Sequence, residues 1–209
     1  NHLLSMNIDK LWRKKAVRLV GKYQPKTILD VATGTGDFAV ELSSLKPNEI
    51  KGVDISAGML EVGKEKMKRK NLNQLIDLQL GDAENLQFED NYFETVTVAF
   101  GVRNFENLRA GLKELNRVLK PGYPLAVLEF SKPRSFPFKQ IYNFYFKFIL
   151  PGIGKLVSKD SRAYTYLPES VKAFPEGKDF IAFLDEIGYK NIQEYRLTFG
   201  IATIYLAEK

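Results

Sequence analysis

Short apolar runs alternate along this chain with longer stretches whose apolar residues recur at three- and four-residue spacing. The runs Thr27–Val31, Ile50–Asp54, Ile76–Leu80, Thr95–Phe100 and Pro124–Phe130 read as strands, and Asp9–Tyr23, Asp37–Leu45, Ala57–Lys70 and Leu108–Leu119 read as helices. Ala57–Lys70 shows the helical period clearly, with Met59, Leu60, Gly63 and Met67 on one side and lysines elsewhere. Lys120-Pro121-Gly122 stops the helix before it. Strands alternating with helical patterns predict an α/β fold with a parallel, doubly wound sheet.

The alternation breaks after Lys132-Pro133. Residues 136–157 are dense in aromatics (Phe136, Phe138, Tyr142, Phe144, Tyr145, Phe146 and Phe148), with Lys139 and Lys147 among them. An inserted helix ended by Leu150-Pro151-Gly152 is expected here, within a helical insertion at about 134–176. It suits a lid over a long apolar substrate or a contact with a membrane surface. A helix packed on the sheet edge, or a dimer face, is the plainer reading. The regular pattern then resumes with a helix, Lys178–Ile187, and two strands, Asn191–Leu197 and Ile201–Ala207. The short Phe199-Gly200 link between those strands predicts an antiparallel hairpin.

A chain of 209 residues, 44% hydrophobic and without internal repeats or low-complexity linkers, predicts one domain over residues 1–209. No run is long and apolar enough for a transmembrane helix, and no signal-peptide pattern opens the sequence, so a cytoplasmic location is expected. The absence of cysteine excludes disulfides, thiolate metal sites and a Cys nucleophile. The single histidine, His2, leaves no basis for a His triad or a multi-His metal centre, and no metal is expected. The formal charge of +6 fits a basic solvated surface, an anionic membrane face or a nucleic acid. No recognisable nucleic-acid module accompanies it, so no nucleic-acid partner is expected.

The chemistry concentrates where the first strand, Ile28-Leu29-Asp30-Val31, runs into Ala32-Thr33-Gly34-Thr35-Gly36-Asp37. A small-residue loop leading into a helix lets the backbone approach a nucleotide-like ligand and offers it free N–H groups. Asp54, ending the second strand, can take both hydroxyls of a ribose. The loop formally fits the G-x-G-x-x-A pattern of NAD sites, a weak signal alone. Three features favour S-adenosylmethionine instead. Asp30 can stand near ammonium and sulfonium charges, where it would repel a pyrophosphate. Asp82, after the third strand, can accept a hydrogen bond from an adenine amino group, with the Ala83 N–H facing the ring. The third is the antiparallel ending, which matches a seven-stranded, Rossmann-like class I methyltransferase sheet. Capping or loop-fixing roles for Asp30 and Asp82 remain open beside these. Thr33, Gly34, Thr35, Gly36, Ile55, Met59 and Ala99 complete the predicted cofactor set.

Beyond the cofactor loop, Asp82-Ala83-Glu84-Asn85-Leu86, Phe100-Gly101-Val102-Arg103-Asn104 and Leu128-Glu129-Phe130-Ser131-Lys132-Pro133 resemble the menaquinone/ubiquinone biosynthesis C-methyltransferases. Leu4-Ser5, Trp12-Arg13, Leu150-Pro151, Ala163-Tyr164, Tyr166-Leu167, Glu169-Ser170, Phe174-Pro175 and Leu197-Thr198-Phe199-Gly200-Ile201 extend the likeness over essentially the whole chain. Gln87 and Tyr123 depart from the family's usual turn residues, and a further N-terminal stretch usual in the family is expected to be missing before Asn1.

The resemblance implies methyl transfer from S-adenosylmethionine to a ring carbon of a prenylated quinol, with demethylmenaquinol favoured over the ubiquinone precursor. Such a substrate implies peripheral contact with the inner face of the cell membrane; a homodimer is a further expectation. Arg103 and Asn104 follow the fourth strand, at the end where open α/β sheets bind ligands. Arg103 can stabilise a phenolate, directly or through a water, and Asn104 can fix the other ring oxygen. Glu129 can orient Arg103 in a structural ion pair, or serve as a base itself. Tyr164 and Tyr166 are pocket candidates. Competing readings are a methyltransferase for another small lipid-like acceptor, a cofactor-binding assembly protein and an NAD-dependent reductase.

Overall fold

The computed structural model describes residues 8–144 and 169–209. His2, Leu4-Ser5, most of the aromatic insertion, Leu150-Pro151-Gly152, Tyr164 and Tyr166 lie outside the described residues. One seven-stranded sheet organises the chain, in the order β3-β2-β1-β4-β5-β7-β6. Its strands are β1 (Thr27–Val31), β2 (Glu49–Asp54), β3 (Ile76–Leu80), β4 (Thr95–Ala99), β5 (Pro124–Phe130), β6 (Lys190–Leu197) and β7 (Ala202–Glu208). The first five pair in parallel. β7 runs antiparallel to both β5 and β6. This is the predicted sheet with its antiparallel ending.

The helices are α1 (Ile8–Val20), α2 (Asp37–Leu42), α3 (Ala57–Arg69), α4 (Leu108–Val118), α5 (Phe138–Phe144) and α6 (Lys178–Ile187). Two predicted helices are shorter than their patterns. α1 and α2 tighten into 3-10 turns at Gly21–Tyr23 and Ser43–Leu45, closed by Gln24 and Lys46 in left-handed conformation. β4 stops before Phe100, whose φ of 58° turns the chain out of the sheet.

The strands alternate their side chains between two cores. Ile28, Ile50, Ala126 and Leu128 face one core with residues of α1, α2 and α3. Leu29, Val96, Val98 and Val127 face the other with residues of α4 and α6. β5 is buried along its whole length because both its faces are covered. The edge strand β6 is half exposed and carries Lys190, Glu194 and Arg196, charges that discourage pairing with another edge.

α1 is fastened across the sheet by Trp12. Its ring packs against Phe100 and Phe130 at 6.1 and 6.2 Å, and its Nε1 donates to Thr198 Oγ1 at 2.8 Å. Strand order reverses at β1, which lies between β2 and β4. The carboxyl ends of β1 and β4 therefore border a crevice, the usual ligand position in open α/β sheets.

Candidate active site

The loop after β1 is held by side chains of its own sequence. Asp30 is buried, and its carboxylate accepts from Thr33 Oγ1 at 2.6 Å and Thr97 Oγ1 at 2.8 Å. Gly34 and Gly36 take φ of 58° and 76°, values that an L side chain rarely adopts. Asp54 links this loop to the next, accepting from the backbone N–H of Gly34 at 2.7 Å and of Ser56 at 2.9 Å. Lys66 of α3 donates to Thr35 Oγ1 at 2.9 Å and Asp37 Oδ1 at 2.8 Å. Beyond the third strand, Asp82 Oδ1 accepts from the Glu84 N–H at 2.9 Å. These bonds fix the loops ahead of any ligand, so little ordering is left for binding to supply.

The loops enclose a cavity of about 720 Å³, within the size range of small-molecule sites. Asp30, Thr33, Gly34, Thr35, Asp54, Ile55, Met59, Asp82, Ala83 and Ala99 line it, and so do Arg103 and Asn104. Ile55 and Met59 are 76% and 45% exposed, apolar surfaces on which a planar ring can lie. Two predicted site residues do not line the cavity. Gly36 caps α2 and shapes the loop from behind. Glu129 is fully buried behind Arg103, so a role as a base on a bound substrate does not agree with its position.

Arg103 Nη1 donates to Glu129 Oε1 at 2.8 Å and to the Phe100 carbonyl at 2.5 Å, and its Nε donates to Ser170 Oγ at 3.3 Å. Its guanidinium also sits over the Phe130 ring, 5.5 Å from the centroid. The structure thus holds Arg103 by the ion pair with a buried acid that its sequence position allowed. Burial pushes the Glu129 carboxyl up, while Arg103 and the backbone N–H groups of Phe130 and Arg103 pull it down. Burial also raises the Asp30 pKa to about 6; Thr33, Thr97 and Arg13 oppose this, and Asp54 adds to it.

Several cavity residues had no place in the sequence-based set: Arg13, Phe38, Phe105 and Glu106. Trp12-Arg13 did carry a signal as part of the family likeness. An arginine on an amphipathic helix otherwise reads as a solvated position.

The family model described as "ubiE/COQ5 methyltransferase family" matches residues 1–209. The chain belongs to the ubiE/COQ5 methyltransferase family. It is 48% identical over 210 residues to a demethylmenaquinone methyltransferase of Bacteroides fragilis, covering 100% of this chain and 86% of that protein. It is 47% identical over 212 residues to a ubiquinone/menaquinone biosynthesis C-methyltransferase UbiE of Geotalea daltonii, covering 100% and 89%. Among solved structures, a putative S-adenosyl-L-methionine-dependent methyltransferase of Methanococcus maripaludis shares the fold, with a TM-score of 0.67 at 18% identity over 99% of this chain and 89% of that one.

The protein is therefore a methyltransferase that draws on S-adenosylmethionine. Its cavity fits that cofactor on chemical grounds. Fixed carboxylates stand at the ends of the first and second strands, exposed apolar side chains flank the mouth, and a buried guanidinium nitrogen of Arg13 has no hydrogen-bond partner among the described residues.

Proposed function

We propose that this methyltransferase moves a methyl group from S-adenosylmethionine to a ring carbon of a prenylated quinol, with demethylmenaquinol as the acceptor. The observation that carries the choice of acceptor is the 48% identity, along the whole chain, to the demethylmenaquinone methyltransferase of Bacteroides fragilis. When bound, the cofactor supplies an electrophilic methyl group on a sulfonium. In this reading Asp54 receives the ribose hydroxyls, and Asp82 and the Ala83 N–H receive the adenine edge. Ile55 and Met59 cover the ring faces, while Asp30, Thr33, Gly34, Thr35 and Ala99 surround the methionine half.

Carbon methylation needs an electron-rich ring carbon. A hydroquinone provides one when its hydroxyl loses a proton and the phenolate pushes density onto the neighbouring carbon. Arg103 has the charge to favour that phenolate, and a guanidinium stabilises the oxyanion rather than taking the proton. Water receives the proton, and the hydrogen displaced from the methylated ring carbon is replaced by one at the oxygen, which restores the quinol. Asn104 holds the second ring oxygen. Glu129 is a positioning residue that keeps the Arg103 guanidinium turned to the cavity. Placement of the carbon against the methyl group contributes several kcal/mol, with about 7–11 as an upper range.

The acceptor's prenyl chain calls for a membrane surface. Phe136, Phe144 and Phe199 are 80%, 58% and 64% exposed, and Phe199 stacks on Phe138 at 3.8 Å between ring centroids. Among the described residues no helix is long and apolar enough to cross a membrane. Apolar rings at a surface instead support peripheral contact.

Calorimetric titration with S-adenosylhomocysteine, followed by methyl transfer to a short-chain demethylmenaquinol and a ubiquinone precursor side by side, tests the reading. Binding with transfer to demethylmenaquinol is expected. Transfer to the precursor alone would move the acceptor to the other branch, and transfer to neither would remove the quinol. Asp54→Ala is expected to weaken S-adenosylhomocysteine binding by at least about tenfold, the loss of charged hydrogen bonds to a ligand.

A further inference from the structure

We propose that Arg13 binds the α-carboxylate of the cofactor's methionine half; this rests on the S-adenosylmethionine reading above. Arg13 follows Trp12 on α1, and the fastening of Trp12 to Phe100, Phe130 and Thr198 fixes the rotation of the helix that carries it. The Arg13 side chain is 7% exposed and lines the cavity beside Asp30 and Gly34. Arginine is seldom buried to this extent without full pairing. Its ion pair with Asp9, one helical turn earlier, uses Nη2 at 2.8 Å. Its Nε is buried and has no hydrogen-bond partner among the described residues.

A buried cationic donor left unsatisfied beside a cavity is costly, and an acceptor entering the cavity removes that cost. The flat guanidinium fork suits an anion with two coplanar oxygens. Asp30 decides between a carboxylate and a phosphate. A phosphate dianion at this end would face the Asp30 carboxylate and be repelled. An α-amino acid group presents one ammonium and one carboxylate, and the cavity presents one buried acid and one buried guanidinium. Asp30 takes the ammonium and Arg13 the carboxylate, so the pair reads the zwitterion as a unit.

The test compares S-adenosylhomocysteine with its decarboxylated analogue by calorimetric titration of the full chain. Wild type is expected to bind the parent compound at least about tenfold more tightly. Arg13→Met is expected to weaken the parent by about 10- to 100-fold and the analogue by less than about twofold. Because this substitution removes the ion pair with Asp9, Asp9→Asn/Arg13→Met is measured alongside, with its melting temperature. It should fold as wild type does and show the same selective loss. Equal loss for both ligands, no loss for either, or recovery of parent affinity in the double variant would overturn the assignment. A folded wild type that binds neither ligand would sink the cofactor reading itself. A wild type that binds both equally would leave that reading standing and remove Arg13 alone.

Discussion

Asp30 is a carboxyl whose surroundings favour its proton. Its folded pKa of about 6 lies above the ordinary carboxyl value, so between about pH 4 and 6 the folded chain keeps a proton that the unfolded chain releases. Its contribution to stability is full below that window and is lost as pH rises through it. Binding an ammonium needs the ionised form. Affinity for S-adenosylhomocysteine is therefore expected to fall below about pH 6, approaching tenfold per pH unit. Asp30→Asn should flatten that dependence in titrations from about pH 5 to 8. Arg103 and Glu129 form the second buried charge system, with side chains 6% and 0% exposed. Arg103→Ala is expected to cut turnover by at least about 100-fold and to cost about 3–5 kcal/mol of stability by stranding Glu129. Cofactor affinity should stay near wild type. Arg103→Met/Glu129→Leu should recover stability in urea unfolding but not turnover. Both partners of this pair were legible in the sequence because they lie at the ends of neighbouring parallel strands. Arg13 was visible only as part of the family likeness and not as a cavity residue, since its burial depends on where Trp12 anchors α1, through contacts up to 186 positions away in sequence.

Elements meet most closely where β1 and β4 leave the sheet. A Cβ on Gly101 would lie 2.3 Å from that of Ala32, so the two loops can touch only with glycine at 101. Gly101→Ala is expected to push them apart, destabilise the fold by about 1–3 kcal/mol and weaken cofactor binding, as calorimetry and thermal melting would register. Strand and helix identities were readable from apolar period, and several strand limits agree to the residue. The trailing 3-10 turns were not, because they depend on Gln24 and Lys46 adopting left-handed backbone, which neither residue type announces. Arg117 on α4 likewise carries no sign of its role in the sequence, where it reads as a solvated helix position. It donates to Glu114, Asp90 and the carbonyls of Leu86 and Phe88, pinning the segment that follows Asp82 and Ala83 to the helix. Arg117→Met should loosen that segment, read as faster amide exchange at residues 83–88.

For the molecule as a whole, the alternation of strands and helices dictated a parallel sheet, and the short link at Phe199-Gly200 dictated its antiparallel end. The position of β7 between β5 and β6 ties that end back into the body. Ser131 Oγ bonds the Gly200 carbonyl at 2.8 Å and lies 2.9 Å from Thr203 Oγ1. The Trp12–Thr198 hydrogen bond joins this hairpin to the helix bearing Arg13. Thr198→Val is expected to cost about 1 kcal/mol in urea unfolding and to weaken S-adenosylhomocysteine binding although residue 198 does not line the cavity. That link also fixes a timetable for synthesis. A nascent chain extending only as far as β5 has the glycine loop, Asp54 and the Phe100 and Phe130 rings, but not the Thr198 hydroxyl that takes the Trp12 N–H. The first helix therefore gains its last anchor, and the pocket its final shape, only when the closing hairpin has left the ribosome.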